Sequence, residues 1–145
     1  MAKQVTAVIP HLVVDDAAAA LAFYKKALGA EEVMRLPAQD GKRLMHSEMK
    51  VGDARIFVRD AFPEHCPQGG EGGGTDGSPK TYGGTAVTLH LQVENCDAAV
   101  ERAAGAGAMV AMPPADQFWG DRYALVVDPF GHLWSFAHTL EKVPA

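Results

Sequence analysis

The stretch HLVVDD at residues 11–16 returns in altered form as HLQVEN at residues 90–95, 79 positions further along the chain (residue 90 against residue 11). The alanine-rich stretch that follows keeps this offset, with AAL at residues 19–21 and AAV at residues 98–100. Four later pairs of identical residues have the same offset: Gly41 with Gly120, Arg43 with Arg122, Gly52 with Gly131, and Phe57 with Phe136. Matching pairs spread this widely along the chain at one spacing indicate a duplicated module.

Both copies predict the same order of elements, βαβββ. A first strand (residues 6–14 or 87–93) leads to an acidic residue or asparagine that can cap a helix. An alanine-rich helix that closes at glycine follows it (residues 17–28 or 97–105). Three shorter strands complete each copy: residues 32–37, 43–51 and 55–59 in the first, and residues 109–112, 122–127 and 133–138 in the second. The predicted fold class is α+β, with two βαβββ modules whose curved mixed sheets form a cleft.

The length of 145 residues is typical of one domain, which we predict over residues 1–145. Module one takes residues 4–60 and module two residues 85–140. Residues 61–84 form a linker that contains eight of the fifteen glycines. Its composition favours a flexible tether, and the alternative is a lid over the cleft.

The composition limits which kinds of binding partner and which location the protein is expected to have. The net charge is −5 without a basic segment, so neither nucleic acid nor a membrane surface is an expected partner. No apolar run approaches the roughly 20 residues of a membrane span, and the N-terminus lacks the apolar core of a secretion signal. Two cysteines do not make a disulfide framework, which predicts a cytoplasmic protein with reduced thiols. Cys66 has no activating neighbour in sequence and is predicted to be a bystander.

Strand alternation predicts which side chains face the cleft. The odd positions of residues 87–93 are apolar and are expected to lie under the helix, so the even positions face the other way. The repeat transfers this face to the first module. The predicted cleft-facing residues are Thr88, His90 and Gln92 in the second module, and Ile9, His11 and Val13 in the first.

The last strand of each module adds one position to this face. Ser135 aligns with Ile56 at the common offset, and both are predicted to face the cleft. Trp134 and Phe136 alternate with Ser135 and are predicted to be core residues under the helix.

Arg122 and Trp119 are a further candidate for ligand contact. An arginine beside an aromatic ring could bind an anionic or planar ligand. Alternatively, Arg122 is a surface residue that pairs with Asp116 or Asp121, while Trp119 covers the edge of the core.

Three strings resemble the vicinal oxygen chelate superfamily, which includes glyoxalase I and the bleomycin-resistance proteins: VVDD at residues 13–16, FYKKALGA at residues 23–30 and VDPFGH at residues 127–132. The string QFWGDRY at residues 117–123 resembles the PhnB-like branch. The resemblance covers nearly the whole chain except the glycine-rich linker. It implies the glyoxalase/bleomycin-resistance fold and usually a homodimer, but it does not specify a reaction, because fold does not fix function.

The resemblance also implies four cleft-facing positions for the ligands of a divalent metal, two in each module. In this chain they correspond to Ile9, Ile56, Thr88 and Ser135, and none of these is a usual metal ligand. The carboxylate base that glyoxalase I needs is missing as well. We therefore expect no cofactor and no glyoxalase I activity.

His11 and His90 lie two residues beyond the first-strand metal positions. Each could be a structural histidine, an acid–base group or a hydrogen-bond partner of a polar ligand. A displaced metal site is the further alternative, with His46, Glu48 or a water as an additional ligand.

The predicted function is therefore binding of a small organic molecule in the cleft between the modules, without the family's metal site. The alternative is a glyoxalase-like lyase, isomerase or dioxygenase that uses His11 and His90. A third hypothesis is a dimer that serves only as an interaction module. The predicted partners are a small-molecule ligand and a second copy of the chain.

Overall fold

A computed structural model describes residues 4–65 and 76–141. In chain order the elements are β1 (His11–Val14), α1 (Ala17–Leu28), β2 (Glu31–Pro37), β3 (Leu44–Val51), β4 (Ala54–Asp60), α2 (Pro79–Tyr82), β5 (Thr88–Gln92), α3 (Cys96–Ala106), β6 (Met109–Asp116), β7 (Asp121–Val127) and β8 (Leu133–Thr139). A short 3₁₀ turn, Pro63–His65, follows β4. Cys66 lies outside the described residues.

The strands form two four-stranded sheets with the same topology, β1-β4-β3-β2 and β5-β8-β7-β6. In each sheet the first and last strands of the module pair in parallel, and the remaining pairs are antiparallel. The chain divides into two compact units that follow the modules, except that residues 26–28 of α1 group with the second unit. The α+β class and the two βαβββ modules are confirmed.

Helix α1 has the predicted bounds, whereas α3 runs through Gly105, where it was predicted to end, and closes at Gly107. The side chain of Asp16 accepts a hydrogen bond from the Ala19 N–H, and Asn95 does the same for Ala98 at the start of α3. These side chains satisfy N–H groups that the first turn leaves without a helical partner. Helix α1 closes at Gly29, whose φ of 71° lies in the left-handed region that favours glycine.

Each sheet buries one face against apolar side chains. In module one the buried set includes Val14, Met49 and Val58. In module two it includes Trp134 and Phe136, each 1% exposed, so the prediction that they are core residues is confirmed. The other face of each sheet carries the polar and aromatic residues described below, and we call it the open face.

The first predicted strand is too long. Strand β1 begins at His11, and residues 6–10 lie outside it. Pro10 explains this limit, because it has no N–H to give to a sheet ladder. Its carbonyl still accepts a hydrogen bond from the Phe57 N–H. Similarly, Val87 precedes β5 and is exposed.

Strand β6 is longer than predicted and runs through Pro113 and Pro114 to Asp116. It is the outermost strand of its sheet, and its register against β7 shifts twice, between Val110 and Met112 and between Met112 and Ala115. Prolines are tolerated at such positions because an edge strand has N–H groups that the ladder does not need.

The described part of the linker is tied to the rest of the chain. Asp76 and Ser78 are buried, and residues 79–82 form α2. A Cβ atom at Gly131, in the turn between β7 and β8, would lie 2.8 Å from the Pro79 Cβ. The helix therefore approaches that turn closely.

None of the helices in the described ranges is long and apolar enough to cross a membrane. The cytoplasmic location stays a prediction.

Candidate functional site

The open face of module two brings together three of the predicted residues. His90 on β5 pairs in register with Ser135 on β8. The two ring nitrogens of His90 lie 2.7 Å from the Ser135 hydroxyl and 2.6 Å from the Gln92 side-chain oxygen. Because an amide oxygen only accepts, Nε2 donates to Gln92, whereas the Ser135 hydroxyl can either donate to Nδ1 or accept from it. Thr88 pairs with Leu133 and shares this face.

A row of aromatic rings continues from His90 to the turn between β6 and β7. The His90 ring stacks on Tyr123 with centroids 6.3 Å apart, and Tyr123 makes an edge contact with Trp119 at 6.2 Å. Trp119 in turn contacts Phe118 at 5.2 Å. We call these four residues the aromatic ladder. Phe118 is 97% and Trp119 is 53% exposed, so one end of the ladder is open to solvent.

Arg122 does not belong to this face. It pairs with His138, next along β7 from Tyr123, so its side chain projects on the helix side of the sheet. There it forms two hydrogen bonds to Asp97 of α3 and one to Asp116. Two carboxylates already neutralise this guanidinium. The alternative in which Arg122 pairs with Asp116 is therefore confirmed, and Asp121 instead accepts from Trp119.

The open face of module one carries a cluster of His11, His46 and Phe57. The three rings meet edge to face, with centroids 5.8 Å apart for His11 and His46, 5.6 Å for His11 and Phe57, and 4.6 Å for His46 and Phe57. Partial desolvation lowers the pKa of His11, and the positive charge of Arg59 and the neighbouring His46 lower it further, while Asp76 opposes them. His11 is therefore a neutral imidazole at neutral pH.

Ile56 and Ile9 are not placed as predicted. His11 pairs with Phe57, whereas His90 pairs with Ser135, so Phe57 is the counterpart of Ser135. Ile56 pairs with Met49, points to the opposite face and is 4% exposed in the core. The offset of 79 that holds for the first strands becomes 78 in the last ones. A shift of one residue moves a side chain to the other face of a sheet. Ile9 precedes β1 and lies outside the sheet.

A cavity of about 740 Å³ lies in module one, beside the turn between β2 and β3. Its walls combine the apolar groups of Ala38, Met45 and Phe62 with polar and charged side chains. The remaining lining residues are Gln39, Asp40, Arg43, Arg59 and Asp76.

Carboxylates hold both arginines of the cavity in place. Arg43 donates to Asp40 at 2.7 Å and to Glu64 at 2.5 and 3.1 Å, and its guanidinium lies 4.3 Å from the centre of the Phe62 ring. Arg59 forms an ion pair with Asp76, with Nη2 and Oδ1 2.6 Å apart. These contacts define the cavity walls before any ligand arrives.

Asp76 is the buried polar group of this cavity. Its Oδ2 accepts a hydrogen bond from the Phe62 N–H, and Arg59 keeps the pKa of the carboxyl below its ordinary value. Its Oδ1 is buried and accepts no aligned hydrogen bond from any residue in the described ranges, although Arg59 Nη2 is close.

The residues present do not fit the metal site that the family resemblance implies. Over residues 4–65 and 76–141, no three His, Cys, Asp or Glu side chains are grouped so that they could hold a metal ion. Glu48 pairs with Arg55 at 2.8 Å, and both ring nitrogens of His90 have hydrogen-bond partners.

Several residues of these faces were not predicted from sequence. Tyr123 links Trp119 to His90, and Phe57 and Arg59 share a face with His11. Alternation along the last strand of module one, counted from Phe57 instead of Ile56, would have predicted that Phe57 and Arg59 lie on this face. The cavity residues Phe62 and Asp76 come from the predicted linker, where no periodic pattern indicates a facing direction, and Met45 is the second residue of β3.

The fold and these faces define a class of protein made of paired βαβββ modules. The model of the Glyoxalase/Bleomycin resistance protein/Dioxygenase superfamily matches residues 4–136, and the chain belongs to this superfamily.

Its relatives include an uncharacterized protein of Mycobacterium tuberculosis, Rv0887c, which is 45% identical over 94% of this chain and 76% of its own length. An uncharacterized protein of Mycobacterium bovis, Mb0911c, is 45% identical over 94% of this chain and 86% of its own. Among solved structures, TioX from Micromonospora sp. ML1 superposes with a TM-score of 0.69 at 25% identity, covering 93% of this chain and 99% of TioX.

Proposed function

We propose that the protein binds a small, partly aromatic organic molecule in the cavity of module one, and that it does so without the family's metal. The observation that carries this proposal is the cavity itself. Its volume of about 740 Å³ lies within the range of roughly 300–1,000 Å³ that is usual for small-molecule sites.

The lining chemistry supports a ligand with an apolar body and a polar end. Phe62 and Met45 provide aromatic and thioether surface, while Gln39, Arg59 and Asp76 provide hydrogen-bonding groups. The ion pairs of Arg43 and Arg59 hold the walls in position, so little conformational entropy is lost on binding.

The open face of module two is proposed as a second contact surface. The aromatic ladder offers ring faces for stacking, and His90 and Gln92 lie at its inner end. Thr88 and Ser135 complete the polar part of this face. The resemblance of residues 117–123 to the PhnB-like branch includes Trp119 and Tyr123 of the ladder.

Filling the cavity tests the proposal. Met45 lines it and is 53% exposed, so Met45→Trp adds bulk without disturbing the core. Met34 is 41% exposed on the same sheet but does not line the cavity, which makes Met34→Trp the matched control. A fragment library is screened by ligand-observed NMR. We expect hits that Met45→Trp weakens and Met34→Trp retains. A library without hits, or hits that both variants retain, would contradict the site.

An enzyme that uses the histidines is the second candidate. The observation that favours it is that the His11 and His46 rings meet on one open face, with centroids 5.8 Å apart, because imidazoles are the usual acid–base groups near neutral pH. Metal content of the untagged protein and titration with Ni²⁺, Zn²⁺, Mn²⁺ and Fe²⁺ distinguish an enzyme with acid–base histidines from one with a displaced metal site. Near-stoichiometric metal that is lost in both His11→Ala and His90→Ala would replace the metal-free proposal with a displaced metal site.

We also propose that the chain forms a homodimer. Large apolar side chains are exposed on the outer strands and the ladder: Val33, Leu36, Met109, Met112 and Phe118. Sedimentation velocity should give twice the chain mass of 15.4 kDa, and a monomer at micromolar concentration would refute the dimer.

A further inference from the structure

Each long helix is held at its first residue by a side chain from the last strand of its own module. In module one, Asp60 Oδ1 accepts a hydrogen bond from the Ala17 N–H at 3.0 Å. In module two, His138 Nδ1 accepts one from the Cys96 N–H at 2.8 Å. Ala17 and Cys96 begin α1 and α3, and residue 138 lies 78 positions after residue 60, the offset of the last strands. The duplication therefore keeps this attachment but changes the chemical group that makes it.

The attachment in module two depends on the protonation state of His138. A backbone N–H only donates, so Nδ1 carries no proton in this structure and the ring is neutral, with its proton on Nε2. A second proton would occupy Nδ1 and turn this acceptor into a donor. It would also place a positive charge at the N-terminus of α3, where the helix dipole disfavours it. The counterpart in module one is a carboxylate, and aspartate side chains ordinarily stay ionised well below neutral pH.

The surroundings of His138 allow the ring to take up a proton. The ring is only partly buried, so water reaches it. Arg122 on β7 pairs with His138 in register, and its guanidinium is bonded to Asp97 on α3 and to Asp116 on β6. These three side chains carry one positive and two negative charges, so no net positive charge opposes protonation. The neighbouring Cys96 thiol stays neutral, because burial raises its pKa.

The charge of His138 is also felt on the helix. The pKa of Asp97, in the first turn of α3, is lowered mainly by its hydrogen bonds from Arg122 and further by the positive charge that His138 can carry. A protonated ring therefore has a carboxylate partner nearby, while its hydrogen bond to the Cys96 N–H is lost.

We infer that module two has a pH-sensitive helix attachment: protonation of His138 releases the first residue of α3, whereas α1 stays attached through Asp60. The side chain of Asn95 still caps the Ala98 N–H, so α3 frays at its start and does not unfold as a whole. Because α3 packs against β6, β7 and β8, the release reaches the sheet whose open face carries the aromatic ladder. Acidification thus loosens module two before module one.

Amide hydrogen exchange, corrected for the intrinsic rate at each pH, measures both attachments in one molecule. Between about pH 8 and about pH 5, where a histidine ordinarily gains its proton, the protection of the Cys96 amide should fall about tenfold, the usual size of one hydrogen bond. The Ala17 amide should keep its protection. An equal loss at both amides would indicate a global effect and overturn the inference, and so would unchanged protection at Cys96.

The change at Cys96 must also follow the titration of His138 itself. The amide proton shift of Cys96 and the ring signals of His138, recorded by NMR over the same pH series, should change with one midpoint. Different midpoints would refute the assignment to this histidine.

A variant separates the acceptor from the titrating proton. In His138→Asn, a side-chain oxygen can still accept from the Cys96 N–H but does not titrate, so the protection of Cys96 should be equal at both pH values. His11→Asn is the matched control, since it removes a histidine of module one with a lowered pKa, and it should retain the tenfold loss. If His138→Asn kept the loss, or if His11→Asn removed it, His138 would not be the pH-sensitive group.

Discussion

In module one the strand beside His11 presents Phe57, whereas in module two the strand beside His90 presents Ser135. This difference changes what each histidine can do. His90 is fixed by two hydrogen bonds, while His11 contacts rings and lies near Arg59. The two modules keep the sheet and the helix caps but place different chemistry on the open face, so the duplication preserves architecture more strictly than it preserves a site.

The turns before the last strands differ as well. Two residues, 52 and 53, connect the paired ends of β3 and β4, whereas five residues, 128–132, connect those of β7 and β8. The longer turn holds the buried Asp128, whose carboxylate accepts hydrogen bonds from the N–H groups of Phe130 and His132 and from the Trp134 indole. The motif VDPFGH is thus a structural feature of module two, and it tells nothing about a reaction.

Removing the Asp128 carboxylate should have the largest effect on stability. Asp128→Ala leaves two buried donors and one partly buried donor without this acceptor and is expected to lower the free energy of unfolding by about 3–5 kcal/mol. Among the described residues, the Asp60 carboxylate in module one accepts from two donors, the N–H groups of Ala17 and Leu44, so Asp60→Ala should cost about 2–4 kcal/mol.

Urea denaturation checks this order, with Asp53→Ala as the surface control that should change stability by less than about 0.5 kcal/mol. If Asp60→Ala cost more than Asp128→Ala, the contrast between the two turns would be wrong.

Replacing the turn glycine of each module by alanine should also cost different amounts of stability, and the difference is smaller. Gly131 has a φ of 92°, and an added Cβ would meet Pro79, so Gly131→Ala is expected to cost about 2–3 kcal/mol. Gly52 has a φ of 56° and open space around it, so Gly52→Ala should cost about 1 kcal/mol. Thermal unfolding of both variants measures this difference. Equal shifts in Tm would show that Pro79 moves away from the added Cβ without cost.

The smallest expected effect is on the titration of His11. Arg59→Gln removes a positive charge near the imidazole and should raise the pKa of His11 towards its ordinary value of about 6.5. Arg55→Gln, on the same strand but paired with Glu48, is the matched control and should leave it unchanged. Imidazole NMR signals followed over pH measure both, and an unchanged pKa in Arg59→Gln would show that the charge of Arg59 does not contribute to the lowering.

The direction of the pH effect on stability follows from the lowered pKa. As the pH falls, the unfolded chain binds a proton at His11 at a higher pH than the folded protein does. This residue therefore contributes a loss of stability as pH falls through about 6.5. Above that range both states are neutral at this position, and the contribution disappears.

Much of this architecture can be predicted from the sequence, because helices and first strands are local features. The bounds of α1 agree with the predicted residues 17–28, since Asp16 and Gly29 mark its ends chemically. The alternation along β5 was also predicted correctly, because Thr88, His90 and Gln92 are exposed and the apolar residues between them are less so, while their position at a cleft stays a prediction.

The last strand of module one could not be placed in this way. Its register depends on how many residue pairs the preceding hairpin forms, and a single offset of 79 hides the shift to 78. The cavity is harder still, because it is built by tertiary contacts of Arg43, Phe62 and Asp76, which lie outside the strands. The ligand, the homodimer and the absence of a cofactor stay predictions.

The prolines of β6 have a consequence for the behaviour of the protein at high concentration. An outer strand offers its backbone groups to any strand of another molecule, which is how ordered aggregates begin. Pro113 and Pro114 carry no N–H group, which interrupts the row of donors along β6, and the two register shifts around them bend the strand. This edge therefore resists strand addition in spite of its exposed methionines, and a Pro113→Val, Pro114→Thr variant would restore a continuous template for fibril growth.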